Sequence, residues 1–157
     1  MMDPHILVFL ITLLPWLELR ASIPIGILIF GLNPFVVFTI ALVANMIFYF
    51  PIIIGLDRGY SYLMKYPFAK DIIDRIRGKG EGIRGKNKYI ALMLFVAVPL
   101  PVTGAWTGTG IAWLLHMDRK KAFIAIAGGV SIAAVLVTAI SLIAGEVIFN
   151  WLGISKF

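Results

Sequence analysis

The chain has no cysteine, which excludes disulfides, thiolate metal sites and thiol nucleophiles. It has only two histidines, His5 and His116. They lie far apart, both at segment ends, and no HExxH spacing occurs, so no metal site is expected. Charge is scarce: 14% of residues are Asp, Glu, Lys or Arg, against about 25% in soluble domains. Eight acids face fourteen bases, for a net charge of +6. In a soluble protein that excess would point to nucleic acid. In this chain it is expected to face an anionic cytoplasmic leaflet instead. No nucleophile–base pair, carboxylate pair or metal cluster stands out, so neither an enzyme nor a cofactor is expected.

Apolar residues fill the place of charge. They make up 61% of the 157 residues, with mean hydropathy +0.97, where soluble domains hold about 45–50%. That composition predicts an integral membrane protein in one membrane domain, 1–157. No cleavable signal is expected, because the apolar run after His5 lacks a basic flank and is interrupted by Glu18 and Arg20.

Four apolar segments follow one another, at 5–30, 34–56, 89–116 and 121–150. The polar stretch 57–88 between the second and third carries most of the bases. Within it, "FAKDIIDRIR" sets Phe68, Ile72, Ile73 and Ile76 on one helical face. This predicts an amphipathic surface helix started by Pro67 and stopped by Gly78. "GEGIRGKN" (80–87) resembles a phosphate loop up to Lys86. Asn87 replaces the magnesium-holding hydroxyl and no strand precedes the glycines, so it is read as a linker and no nucleotide is expected.

Four full spans are the simplest topology, but prolines and charge both argue against it. Segment 5–30 holds Pro15 and Pro24, and segment 89–116 holds Pro99 and Pro101. A proline inside a helix costs about 3 kcal/mol. Broken backbone at membrane depth survives only where protein buries it or it lines a cavity. A half-helix of about ten residues climbs ~15 Å, half the ~30 Å hydrocarbon core. Counted inward, both breaks fall at the midplane, near Leu17–Glu18 and Val102–Thr103.

Four spans would also put the basic "MDRKKA" (117–122) across the membrane from 57–88, against the positive-inside rule. If 5–30 and 89–116 are re-entrant hairpins, both basic loops are cytoplasmic and both termini lie outside. The expected fold is therefore all-α, with two re-entrant hairpins and two long transmembrane helices. Unit 5–57 (hairpin 5–30, helix 34–56) and unit 89–150 (hairpin 89–116, helix 121–150) form an inverted repeat. The basic loop 58–88 lies between them. Inverted repeats bring their broken elements to a shared midplane site, so the two tips are expected to face each other.

The candidate site residues follow from this. Glu18 and Arg20 are ionisable groups at membrane depth, where function is the default. Glu18 reads as a proton carrier and Arg20 as an anion-binding or tuning cation. The alternative is an ion pair that only closes the hairpin. In the second hairpin Thr103, Thr107 and Thr109 read as hydroxyls bonding back to freed carbonyls and, not exclusively of that, as a polar half-site facing Glu18. The backbone N–H groups of Gly104 and Ala105 would then serve as donors. Trp106 is expected to pack on substrate or seal the cavity, and Asn45 to bond a neighbouring element, the hairpin tip. Ala125, Gly129 and Ala133 read as a close-packing stripe. Glu146 is placed at the outer interface, with Trp151 as anchor.

"ELRASIPIG" (18–26) and "VPLPVTGAWTG" (98–108) resemble the signature stretches of the small multidrug export protein family. More distantly they are similar to the DedA/VTT membrane proteins. DedA proteins pair acids in the first hairpin with arginines in the second; here 89–116 has no arginine. The resemblance implies a proton-linked secondary transporter moving a small amphipathic molecule or a lipid-linked phosphate. The expected transport site comprises Glu18, Arg20, Pro24, Gly26, Asn45, Pro99, Pro101, Thr103, Gly104, Trp106 and Thr107. The expected setting is a prokaryotic plasma membrane, with membrane lipids as partners and a homodimer or larger as the working unit. The alternatives are an uncoupled, scramblase-like path and a structural or insertion-assisting membrane protein.

Overall fold

The computed structural model describes residues 2–80, 87–100 and 103–152. These contain helices and turns and no β-strand. The chain falls into two compact units, Met1–Asn45 with Ser131–Phe157, and Met46–Val130.

The first unit opens with α1 (Pro4–Leu13), capped by Asp3, whose carboxylate accepts the His5 N–H at 2.8 Å. Pro4 stands at the first helical position, where its missing N–H costs nothing. Leu14 is extended (φ −75°, ψ 125°), because Pro15 disfavours the helical conformation in the residue before it. The chain turns through 14–17 and restarts as α2 (Glu18–Pro24). The Thr12–Ser22 hydroxyl contact and the Val8–Gly26 approach pair early residues with late ones. The segment therefore folds back on itself as a helical hairpin.

The break falls beside the expected Leu17–Glu18, but Pro24 does not act as a breaker. It ends α2 and the chain continues as a π-helical turn, Ile25–Ile29. Past the proline, the Ile25 N–H bonds Ala21 O and Ser22 O, and the Phe30 N–H closes the wider turn on Ile25 O. Gly31 then ends the element at φ +62°, a left-handed conformation that costs glycine little. Asn33 caps α3 (Pro34–Ile47) by accepting the Phe35 N–H at 2.9 Å. Val8, Leu19, Ile23, Val37, Ala41 and Ala44 are buried.

In the second unit α4 (Tyr49–Leu63) follows α3 after one interrupted residue, Phe48. Pro51 explains the interruption, since it has no N–H to offer the Ile47 carbonyl. Together α3 and α4 supply an apolar helical run of 27 residues, Pro34–Tyr60, longer than the expected 34–56. α5 (Pro67–Gly80) starts at the expected proline and runs two residues past Gly78. Its apolar face is only partly covered: Ile73 is buried while Phe68 is 77% exposed.

The second hairpin comprises α6 (Asn87–Ala97) and α7 (Ala105–Leu114). It folds back so that the Tyr89 hydroxyl accepts the Asp118 N–H at 3.3 Å. α7 ends in a Schellman motif: Met117 N–H bonds Ala112 O at 2.9 Å and His116 N–H bonds Trp113 O at 3.1 Å. His116 takes the left-handed position, φ +48°, that glycine usually fills.

α8 (Arg119–Leu152) starts at Asp118, whose carboxylate accepts the Lys121 N–H at 2.9 Å. The basic 117–122 is thus mostly the first turn of a helix rather than a loop. Arg119–Ile148 is the other apolar run, 30 residues long. At ~1.5 Å per residue both runs exceed a ~30 Å hydrocarbon core. α8 buries small residues, Ala125, Gly129, Ala133 and Ala134, and exposes large ones such as Val135, Ile140 and Ile143. A Cβ on Gly129 would lie 2.5 Å from the Met93 carbonyl oxygen, so the expected small-residue stripe does pack closely. Glu146 and Trp151 are exposed. The glycine-rich 80–87 stretch, read as a linker, lies outside the described residues over 81–86.

Candidate functional site

Hairpin 1 buries charge immediately behind an exposed tip. Trp16 is 85% exposed, whereas Glu18 is 4% exposed. Glu18 starts α2 with φ +48°, a conformation costing an L-residue roughly 1–2 kcal/mol. Arg20 is half-buried two residues on and interacts electrostatically with the Glu18 carboxylate. Beside them two fully buried hydroxyls meet: Thr12 Oγ1 lies 2.6 Å from Ser22 Oγ and 2.8 Å from the Val8 carbonyl. One hydroxyl proton serves the carbonyl and the other links the two side chains. Neither Thr12 nor Ser22 was expected in the site. The i→i+10 spacing across a hairpin was the available signal.

The break of hairpin 2 is closed by hydroxyls and backbone. Thr103 Oγ1 lies 2.6 Å from the Val98 carbonyl and 2.9 Å from that of Leu100, and it receives the Leu100 N–H at 3.3 Å. Gly104, extended at φ 178°, donates its N–H to Thr107 Oγ1 at 3.0 Å. Thr109 bonds back to the Ala105 carbonyl. These contacts are back-bonds within the hairpin, which the half-site reading also allows. Pro99 lies within the break, and Pro101 lies outside the described residues. Trp106 packs on Phe48, ring centroids 5.1 Å apart.

Gly26 is a packing position: a Cβ there would lie 2.8 Å from Val37 and 3.0 Å from Val8. Asn45 departs from expectation. Its side-chain N–H bonds its own helix at Ala41 O, 3.3 Å away, and its carbonyl oxygen has no partner among the described residues. An amide four residues above a carbonyl reaches it without help from a neighbour. Glu18, Arg20, Pro24, Gly26 and Asn45 belong to the first compact unit. Pro99, Thr103, Gly104, Trp106 and Thr107 belong to the second.

A further cluster in the second unit was not anticipated. The Asp57 carboxylate accepts the Trp113 indole N–H at 2.9 Å and the Arg119 guanidinium at 2.8 Å. The Tyr49 hydroxyl donates to the Arg119 carbonyl at 2.7 Å, and Tyr60 sets its ring edge-on to Trp113. These side chains and His116 line a cavity of about 270 Å³. The lone acid closing the apolar run before 57–88 was the sequence signal. Its partners are 56 and 62 residues away, beyond the reach of any local pattern. No group of three or more metal-ligating side chains occurs among the described residues.

A family model described as "Putative small multi-drug export protein" matches residues 18–136. The match spans most of the chain, including both signature stretches, and the chain belongs to that family. No curated protein matches, and no solved structure does.

Proposed function

We propose that this member of the family is a proton-coupled secondary transporter, with Glu18 as its proton-titrating group and Arg20 as the cation that tunes it. The family's description as an export protein and two helices long and apolar enough to span a bilayer support a membrane transporter. The observation that carries the reading is the buried Glu18 at the break of hairpin 1. Hairpin 2 carries no acid or base within its break, 98–104, and bonds threonine hydroxyls to its own backbone there. Glu18 is the acid that hairpin 1 adds, buried and held at φ +48°, and an ionisable group in such a backbone at membrane depth is functional by default.

The hairpins are re-entrant in this reading, with both basic segments cytoplasmic. The 2.8 Å contact between Asp57 and Arg119 supports this. Four full spans would separate those residues by the whole ~30 Å core. The cargo is a small amphipathic molecule or lipid-linked phosphate, and a chain of 157 residues works as a homodimer or larger.

Reconstitution with a substrate panel and an imposed pH gradient tests the function. Gradient-driven uptake that Glu18→Gln abolishes is the expected result. Uptake by the folded variant that still follows the gradient removes Glu18 from the mechanism. Uptake indifferent to the gradient in the unaltered protein identifies an uncoupled path. Cysteines at Asp3 and Lys120 test the topology. They should react from opposite sides of the membrane, and labelling from one side excludes it.

A further inference from the structure

A second concavity in the Met46–Val130 unit opens outward. It is a groove of about 350 Å³ between the starts of α6 and α8, lined by Tyr89, Ile90, Met93, Lys121, Ile124 and Ala125. One end is polar. The Tyr89 hydroxyl holds the Asp118 N–H, the Lys88 ammonium sits 5.3 Å from the Tyr89 ring centroid, and Lys121 lines the wall. The other end is closed by contact between helices, where Met93 presses on Gly128 and Gly129. The walls between are apolar and uncovered: Ile90 is 52% exposed and Ile124 69%.

We propose that this groove is a specific binding site for an anionic diacyl phospholipid. One acyl chain lies along Ile90, Met93 and Ile124, and the phosphate is held by Lys88 and Lys121. α8 is long and apolar enough to span a membrane, and in that setting its exposed Ile124 faces hydrocarbon. The choice of an anionic lipid rests on charge complementarity. Two ammonium groups flank the groove's polar end, and Asp118, the acid there among the described residues, is turned to cap α8 through the Lys121 N–H. Lysines at the water-facing end of a helix pair attract anionic headgroups, each contributing roughly fivefold in affinity. Tyr89 adds a ring suited to the headgroup layer. The lipid is a resident of the fold rather than cargo. The site is independent of Glu18 and of any transport activity.

The test uses the full-length protein in nanodiscs of phosphatidylglycerol and phosphatidylcholine in equal amounts. The protein is released gently and its retained lipid weighed by native mass spectrometry. Phosphatidylglycerol should be retained preferentially. Replacing Lys88 and Lys121 by Ser should reduce that retention by about 25-fold, roughly fivefold for each basic residue. Lys70→Ser, on α5, should leave it unchanged. Ile124→Trp fills the groove without altering charge, at a position already exposed, and should displace the lipid. It keeps the proposal testable if the double lysine variant fails to fold. Equal retention of the two lipids, or undiminished phosphatidylglycerol on Ile124→Trp, overturns it.

Discussion

Two broken helices in one chain meet the same physical problem and solve it with different chemistry. Each hairpin ends its first helix at a residue placed before proline, Leu14 or Val98. Each restarts a few residues later and carries a glycine against which valines close: Gly26 with Val8 and Val37, Gly108 with Val96. Hairpin 2 closes its break with the Thr103 hydroxyl and the Gly104–Thr107 pair. Hairpin 1 places a buried acid and a half-buried base at the same point. One break is neutral, whereas the other holds charge at a cost. That difference separates what the architecture requires from what it carries in addition.

The largest expected effect would break the comparison outright. Glu18→Gln should abolish proton-driven transport while leaving the thermal unfolding midpoint close to that of the unaltered protein. Thr103→Val should do the reverse. It removes the hydroxyl shared by the Val98 and Leu100 carbonyls, each of which keeps a backbone N–H partner, so the loss is that of one hydrogen bond, about 0.5–1.5 kcal/mol. Activity per folded molecule should persist. If the two variants exchange these phenotypes, the assignment of function to hairpin 1 fails.

Glycine substitutions sharpen the packing side. A Cβ at Gly129 meets backbone at 2.5 Å, whereas at Gly26 it meets valine methyl groups at 2.8 and 3.0 Å. Methyl groups can shift and a helix carbonyl cannot. Gly129→Ala should therefore cost more than Gly26→Ala, within the roughly 1–3 kcal/mol of overpacked sites. Denaturation in detergent compares them directly.

Exposed polar pairs give the smallest effects. The Asp57 and Arg119 side chains are 37% and 67% exposed, so solvent screens their attraction. Asp57→Asn should lower stability by less than about 1 kcal/mol, and added salt should shrink the difference. At the start of hairpin 1, the His5 backbone N–H and then its side chain hold the Asp3 carboxyl below its ordinary 3.8. A depressed carboxyl stabilises fully above its unfolded value and loses that contribution as pH falls through the folded one. Protection of the His5 amide against hydrogen exchange should thus be constant down to about pH 4, near the unperturbed value, and decline below it.

Much of this fold was legible from local rules. Pro15 and Pro99 announced the breaks because a proline constrains the residue before it. Pro67 announced a helix start. The alternation of apolar runs and basic loops predicted two long apolar helices. Pro24 misled, because the chain continues past it as a π-helical turn, and whether a helix continues past a proline depends on the neighbours rather than on the proline. Asn45 misled in the same way: its own helix supplied the partner expected from elsewhere.

Sequence alone determined that the chain is apolar, helical, twice broken and charged at only one of the breaks. These properties follow from composition and from backbone sterics acting over a few residues. Tertiary structure alone decided that Asp57 meets Trp113 and Arg119, that Thr12 meets Ser22, and that Lys121 and the Lys88–Tyr89 pair gather at one groove. Those contacts join residues separated by 10 to 62 positions. Which of many polar residues meet at such distances is set by how helices pack around their glycines, and no local pattern encodes that.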